Sequence, residues 1–488
     1  MRKNTESGKL KHELGLLDGT MLVAGSMIGS GIFIVSADII RNVGSSGWLI
    51  AVWVLTGFMT LTAALSYGEL SAMFPKAGGQ YVYLKESYNK LIAFLYGWSL
   101  FAVIQTGTIA AVGVAFSKFT AYLIPAVSED NILFKLQTGL DAAGQARFFT
   151  ISAAQLVSIV LIIFLTAVNT RGVKWGKVIQ NTFTLTKLLS LFGLIAFGLI
   201  MLKGDIWHAN WSNAWKLQKL NTDGSFSQYT TGMAMGAIAA AMVGSIFSSD
   251  AWNNITFIAG EVKNPKRNIG LSLFLGTLIV TIIYVSANVM YTAVLPLHDI
   301  ATAAKDRVAV SASTAIFGDA GTRIIALMIM VSTFGCNNGL ILSGARVYYT
   351  MAKDGLFFKR TGALNKFAVP AFGLWVQCLV ACILCLSGKY GDLLDMISLV
   401  AVIFYMLTIG GVFILRSKNP DAERPYKAFG YPILPAIYIL MGLAFCILLL
   451  CYKPQYSQGG LCIVLAGIPI YYLAKRFIKN EDSTVTDS

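Results

Sequence analysis

Gly25-Ser26-Met27-Ile28-Gly29-Ser30-Gly31 sets three glycines and two serines in seven residues, in the middle of an apolar run from 17 to 40. A run of that length can cross ~30 Å of hydrocarbon as a helix, but so many glycines support a regular helix poorly. Gly244-Ser245-Ile246-Phe247-Ser248-Ser249-Asp250 repeats the pattern inside a second apolar run, 232 to 258, and adds a carboxylate. Both runs are read as helices interrupted near mid-membrane. Unwinding a helix in lipid strands backbone N–H and C=O groups, which is tolerable only beside a cavity or a polar ligand. Amides exposed at a half-helix N-terminus attract an anion and exposed carbonyls attract a cation, so a zwitterion such as an α-amino acid fits the pair. The bland alternative is that small residues merely let helices pack closely. Two breaks at matching positions weigh against it.

The rest of the chain makes these runs membrane spans. Of 488 residues, 56% are hydrophobic and only 13% charged, about half the ~25% charge of a soluble domain. Twelve apolar runs are long enough to span: 17–40, 47–72, 91–123, 150–169, 178–202, 232–258, 269–295, 320–345, 371–388, 391–415, 430–452 and 457–474. The first follows Arg2, Lys3, Lys9 and Lys11 without a small-residue cleavage site, so it is a retained span and not a signal peptide. The 38 Lys and Arg flank the runs and form no basic domain, which argues against a nucleic-acid partner despite the net charge of +14. Counted in alternate segments, 25 lie on the side of both termini and 11, with Arg323 near the outer end of its run included, on the other, so both termini are expected in the cytoplasm of a multi-pass cell-membrane protein.

Enzyme readings lack parts. His12, His208 and His298 lie outside the runs, and no H-E-x-x-H, G-x-S-x-G or Walker motif occurs. The seven cysteines sit in apolar stretches without zinc-type spacing, so no metal, cofactor or disulfide frame is expected. Transport driven by a gradient or by exchange remains.

The interrupted spans lie five spans apart, and an odd displacement reverses direction through the membrane. The fold expected is therefore all-α, with twelve transmembrane helices in a five-plus-five inverted repeat and broken helices 1 and 6. An N-terminal tail (1–16) precedes the first repeat (17–203); an extracellular loop (204–231), the second repeat (232–415), two further spans (416–474) and a cytoplasmic tail (475–488) follow. Lys187 is ten residues past Lys177 and 16 before Lys203, ~15 and ~24 Å of helix, too deep to reach either surface. Gln180 and Thr184 make a polar stripe with it, so its amine is expected to face the bundle interior. An intramembrane lysine is a functional candidate by default. Asp250, at similar depth, has three possible fates: pairing with Lys187, meeting a substrate amine, or facing a water-filled vestibule. Lys118 is read as a snorkelling side chain, and Glu69, Glu261 and Arg346 as gate or loop-anchoring residues.

These residues also carry a resemblance. Gly29-Ser30-Gly31-Ile32-Phe33, Tyr67-Gly68-Glu69-Leu70, Lys76-Ala77-Gly78-Gly79-Gln80-Tyr81, Gln180-Asn181-Thr182-Phe183-Thr184 with Lys187, Trp252-Asn253-Asn254, and Gly260-Glu261-Val262-Lys263-Asn264-Pro265 belong to it. Phe334-Gly335 with Asn338-Gly339, Arg424-Pro425-Tyr426-Lys427 and Gly430-Tyr431-Pro432 complete the set. Together they resemble the amino acid-polyamine-organocation transporters, and within them the L-type amino acid transporter branch. The resemblance implies a LeuT-like fold and alternating access. It implies a substrate site at Met27, Ile28, Gly29, Ser30, Gly31, Ile246, Phe247, Ser248, Ser249 and Asp250. The carboxylate would meet amides near Ser30 and Gly31, and the amino group the carbonyls of Met27, Phe247 and Asp250. Phe247 falls on the gating aromatic. Lys187 falls on the lysine that replaces a sodium ion in sodium-independent members, and Asn338 joins these two as a gating or coupling residue. Asp250 departs from the glycine of many neutral-substrate relatives. Residues 124–149 lack the cysteine that bonds a glycoprotein subunit in animal members, so a stand-alone, prokaryotic-type transporter with no disulfide-linked heavy subunit is expected. The leading expectation is sodium-independent exchange of small or medium neutral amino acids. The alternatives are proton-coupled symport of an amino acid or polyamine, and a sensor or channel. The mostly apolar spans offer a channel no polar lining, and the short tails offer a sensor no output domain.

Overall fold

The computed structural model describes residues 13–140, 146–221, 224–387 and 390–486. Arg2, Lys3, Lys9, Lys11 and His12, all named above, and Lys389, counted there among the cations, lie outside the described residues. Without water to bond the backbone, an apolar chain satisfies its amides and carbonyls within helices, and helices dominate. Leu16–Met27 (α1) and Gly31–Val43 (α2) meet at 41° across residues 28–30. Gly44, with φ +62°, ends α2 in a left-handed turn. Ser46–Met73 (α3) and the short Gln80–Ser87 (α4) follow. Lys90–Ser99 (α5) passes through a π turn, Leu100–Ile104, into Gln105–Leu123 (α6).

Ile132–Leu140 (β1) and Ala146–Ser152 (β2) form an antiparallel hairpin. Ala153–Asn169 (α7) starts at a capping box, in which Ser152 and Gln155 each bond the other's backbone amide. Val173–Ile200 (α8), Gly204–Trp211 (α9) and a small hairpin of Gln218–Leu220 (β3) and Phe226–Gln228 (β4) come next. The second half holds Thr231–Ser248 (α10), Asn254–Phe257 (α11), Pro265–Val294 (α12), Leu297–Ala301 (α13) and Val308–Lys353 (α14). Ala371–Ser387 (α15), Tyr390–Lys418 (α16), Ile433–Tyr452 (α17) and Pro454–Thr486 (α18) complete it. Among the described residues seven helices are long and apolar enough to cross a membrane, or eight if the bent α1–α2 pair is one span, and four shorter apolar segments lie in α7, α10, α15 and α18.

The packing is paired. α3 lies along α12 and α6 along α14, while α1 packs on α12 and α8 as α10 packs on α3 and α16. α7 likewise packs on α6 as α15 packs on α14.

Several expectations shift. α10 runs unbroken through Gly244–Ser248, and the interruption lies at residues 249–253. The reason is close packing: a Cβ at Gly244 would lie 2.9 Å from Val35 Cβ, so the small residues there admit α2 and do not unwind the helix. In the first run only residues 28–30 unwind, and Gly25 is still helical. The helix expected from 320 starts at Val308 and is kinked at Gly318, where φ is +69°. The segments 124–149 and 204–231 carry regular structure, not loop alone.

At the end bearing the N-terminus, buried charges are matched. Arg346 Nε lies 3.0 Å from Glu261 Oε1, both side chains fully buried. The Glu261 carbonyl accepts from the amides of Glu13 and Leu14, which seals the N-terminal strand against the end of the second broken run. Glu69 receives two bonds from Arg416, at 3.0 and 2.7 Å, and one from the Ala428 amide, tying the segment before α17 to α3. The gate or anchor reading of these residues is compatible with that bonding. Removing one partner of a buried pair leaves the other uncompensated, so Arg346→Ala is expected to destabilise the protein by about 3–5 kcal/mol. Thermal unfolding of the purified protein checks this, with Lys266→Ala as a control that breaks only an exposed pair to Glu423 and should change little.

Candidate functional site

Where α1 stops, its last carbonyls lose their helical partners and other helices supply donors. Lys187 Nζ, on α8, donates to Gly25 O and, at 2.7 Å, to Ile28 O. Tyr284 OH, on α12, is 2.8 Å from Met27 O, and from α14 Cys336 Sγ reaches Ser26 O at 3.0 Å. Lys187 is 1% exposed, and its stripe-mates Gln180 and Thr184 are buried with it. Thr184 bonds Met21 O at 3.3 Å, and a Cβ at Gly25 would meet Gln180 and Thr184 at 2.2 Å. The inward-facing lysine read from sequence is therefore seated on the first break. It makes no ion pair with Asp250 among the described residues.

The second break is held differently. Ala251 sits at φ +62°, a left-handed conformation costing a non-glycine residue ~1–2 kcal/mol, and it turns the chain between Asp250 and Trp252. Asn253 Nδ2 donates to Gln80 Oε1 at 2.8 Å, and Gln80 Nε2 to Thr408 Oγ1 at 3.0 Å, bracing the break through α4 to α16. Gly78 and Gly79, both at positive φ, let that turn approach: Gly78 N bonds Phe257 O at 2.9 Å, and a Cβ at Gly79 would fall 2.2 Å from Thr256 Oγ1. Asp250 accepts from Tyr405 OH, on α16.

The two breaks touch. A Cβ at Gly31 would lie 1.8 Å from Ser248 Oγ, and the Tyr284 hydroxyl that bonds Met27 O is also 2.9 Å from Ser248 O. Met27, Ile28, Ser30, Gly31, Ile246, Phe247, Ser248, Ser249 and Asp250 are all buried, as is Gly29. Ser248 Oγ donates to Gly244 O at 2.6 Å, so its hydroxyl is turned back onto its own helix where the two breaks meet. Asn338 lies apart from this contact in a polar joint, with Asn169 Nδ2 donating to its Oδ1 at 2.9 Å and Gln180 beside it at 3.4 Å, linking α7, α8 and α14.

Two small cavities share Asp250 and Tyr405 in their walls. One is lined by Gln80, Tyr96, Gln105, Thr108, Asn253 and Asn254 among others, the second by Thr56, Thr60, Ile246, Ser249 and Tyr438. The π turn contributes Leu100 and Ile104 to the first cavity, a common use of such turns. Sequence reasoning missed Tyr284, Tyr405, Gln105 and Ala251. A polar side chain within an apolar stretch was the available signal for Gln105. Tyrosine is common enough in apolar helices to give none.

A family profile described as amino acid permease matches residues 14–473. The chain belongs to the amino acid permease family. This permease is 30% identical over 477 residues to the serine/threonine exchanger SteT of Bacillus subtilis (strain 168), covering 97% of this chain and 99% of that one. It is 29% identical over 467 residues to the large neutral amino acids transporter small subunit 2 of Homo sapiens, covering 95% and 80%. It is 28% identical over 487 residues to the b(0,+)-type amino acid transporter 1 of Mus musculus, covering 96% and 90%. The permease is a multi-pass membrane protein and not an enzyme.

Because Gly31 faces Ser248 with no room for a Cβ, Gly31→Leu is expected to abolish amino acid binding by folded, purified permease. Unchanged affinity in a binding assay would overturn the placement. Ala251→Gly is expected to keep thermal stability, whereas Ala251→Val should lower it, since a β-branched residue resists positive φ.

Proposed function

We propose that this permease exchanges small or medium neutral L-amino acids across the cell membrane by alternating access, without sodium. The observation that carries the reading is Lys187 Nζ donating to the carbonyls of Gly25 and Ile28. When protonated, this amine supplies the positive charge that a bound sodium ion would otherwise give to the first break. The names of the relatives support the substrate class: one is called a serine/threonine exchanger and another a transporter of large neutral amino acids.

In this reading the chain crosses the membrane twelve times, with inverted repeats at 17–203 and 232–415, an extracellular 204–231 and a final pair of spans within 416–474. The paired packing of the two halves supports the repeat. Counting α1–α2 once and adding the four shorter apolar segments supports the number of crossings. The cation excess supports cytoplasmic termini. The substrate carboxylate would meet the amides at Ser30 and Gly31, and its amino group the carbonyls of Met27, Phe247 and Asp250, once the two breaks part. Phe247, buried beside the second break, would close over it. Asn338 would couple α8 to α14 during the transition. The permease would work without a disulfide-linked heavy subunit, a view supported by the absence of cysteine from residues 124–149.

Uptake of radiolabelled serine, alanine and leucine into proteoliposomes is expected to be much faster with amino acid inside than into empty vesicles, and is expected to be unchanged when sodium is replaced. Sodium-stimulated uptake would count against the assignment. Lys187→Ala strands carbonyls at ~1–3 kcal/mol each, so transport should fall about tenfold or more while circular dichroism stays near normal. Phe247→Ala should lower turnover more than thermal stability.

A further inference from the structure

The first cavity beside the second break holds groups that the exchange reading leaves unused. Asp250 and Tyr405 line it, and so do Tyr96 and Asn254, whose buried OH and Nδ2 have no hydrogen-bond partner among the described residues. About 10 Å³ of it is open to the centre of a water molecule, which is room for a single water and too little for an aminoalkyl chain. A water there has the two or more polar partners it needs.

Asp250 is buried, with the Tyr405 hydroxyl and the Ala251 amide as its donors, and no Lys, Arg or His lies against it among the described residues. The titratable groups that face it are the phenols of Tyr96 on α5, Tyr405 on α16 and Tyr438 on α17, with Tyr67 on α3 behind Tyr405. From α4, α6 and α14 the neutral Gln80, Gln105 and Leu340 face the cavity. Lys187, the other buried charge of the core, is held by carbonyls of the first broken run. An ionised carboxylate closed into such a site without a cation is strongly unfavourable. A proton removes the charge. Tyr405 suits either state, since its hydroxyl can donate to a carboxylate or accept from a carboxylic acid.

We propose that Asp250 is a proton-carrying site, protonated from water as the carrier closes around it and deprotonated to water when the cavity opens on the other side. This rests on the transporter reading. In exchange the proton rides in both directions and cancels; in net uptake a single proton accompanies each amino acid. A water held in this cavity by Tyr96 and Asn254 would lie on the proton's route.

The test is purified full-length permease in proteoliposomes carrying an internal pH dye, with L-serine as the probe. Net uptake by the wild type should acidify the lumen, and acid outside should raise it. Asp250→Asn should lose the proton signal per serine moved, whatever its residual rate, while Asp250→Glu keeps it. An unchanged ratio in Asp250→Asn, or net serine uptake into empty vesicles without acidification in the wild type, overturns the proposal. So does uptake of arginine that carries charge while serine moves no proton, which would make Asp250 a partner for a cationic side chain. If Asp250→Asn moves no serine, the serine-induced infrared difference spectrum decides. A protonated-carboxyl C=O band present in the wild type and absent from folded Asp250→Asn supports the site, and its absence from the wild type overturns it. Failure of the wild type to exchange any labelled amino acid at any pH would instead sink the transporter reading itself.

Discussion

A helix that ends inside a bilayer leaves carbonyls that lipid cannot satisfy, and the architecture is organised around that constraint. The donors reach the end of α1 from three other helices: Lys187 from α8, Tyr284 from α12, and Cys336 and Ser332 from α14. One three-residue interruption therefore fixes the mutual positions of four helices. The lysine is the strongest of these partners, because its charge is itself intolerable in hydrocarbon and finds compensation only in the carbonyl dipoles it serves. Charge and break stabilise each other, and neither is expected to persist alone.

The second break has no such cation. Its turn is held by neutral side chains, with Asn253, Gln80 and Thr408 in series, and by the left-handed Ala251. A residue strained in this way persists only where its surroundings over-determine it. Here Trp252, packed between the rings of Tyr67 at 4.7 Å and Tyr405 at 5.3 Å, provides that support. The first half of the pair is thus fixed electrostatically and the second by packing and neutral hydrogen bonds. Such an arrangement lets the second half repack without breaking an ion pair.

What was legible in the sequence followed from large energies. Burying a lysine or unwinding glycine-rich helix in lipid is costly enough that Lys187 and residues 28–30 stand out in a linear string. Smaller energies left ambiguous marks. Gly244 to Ser248 read as an interruption because small residues serve unwinding and close packing alike, and only the approach of Val35 and Gly31 decides between them. The true turn at Ala251 carries no glycine and so gave no signal. Tyr284 and Tyr405 were invisible because a tyrosine in an apolar helix has the same hydropathy signature whether its hydroxyl meets lipid headgroups, a helix end or a carboxylate. The start of α14 was misplaced because Asp319 and Arg323 lower the hydropathy just past the kink at Gly318, which separates the helical residues 308–317 from the apolar run. The π turn at Leu100–Ile104 leaves no trace in composition at all.

The contact between the breaks limits what an empty carrier can lose by closing. Tyr284 has one hydroxyl proton, and its oxygen lies 2.8 Å from Met27 O and 2.9 Å from Ser248 O. It can donate to one carbonyl at a time. Met27 O also accepts from the Gly29 amide at 2.8 Å, so the hydroxyl proton can go to Ser248 O while Met27 O keeps a donor. Both carbonyls are then satisfied in the closed form, and the ~1–3 kcal/mol cost of an unpaired interior acceptor does not arise there. A preference for exchange over free return of the empty carrier must therefore come from what the loaded form gains, and not from an acceptor stranded in the empty one.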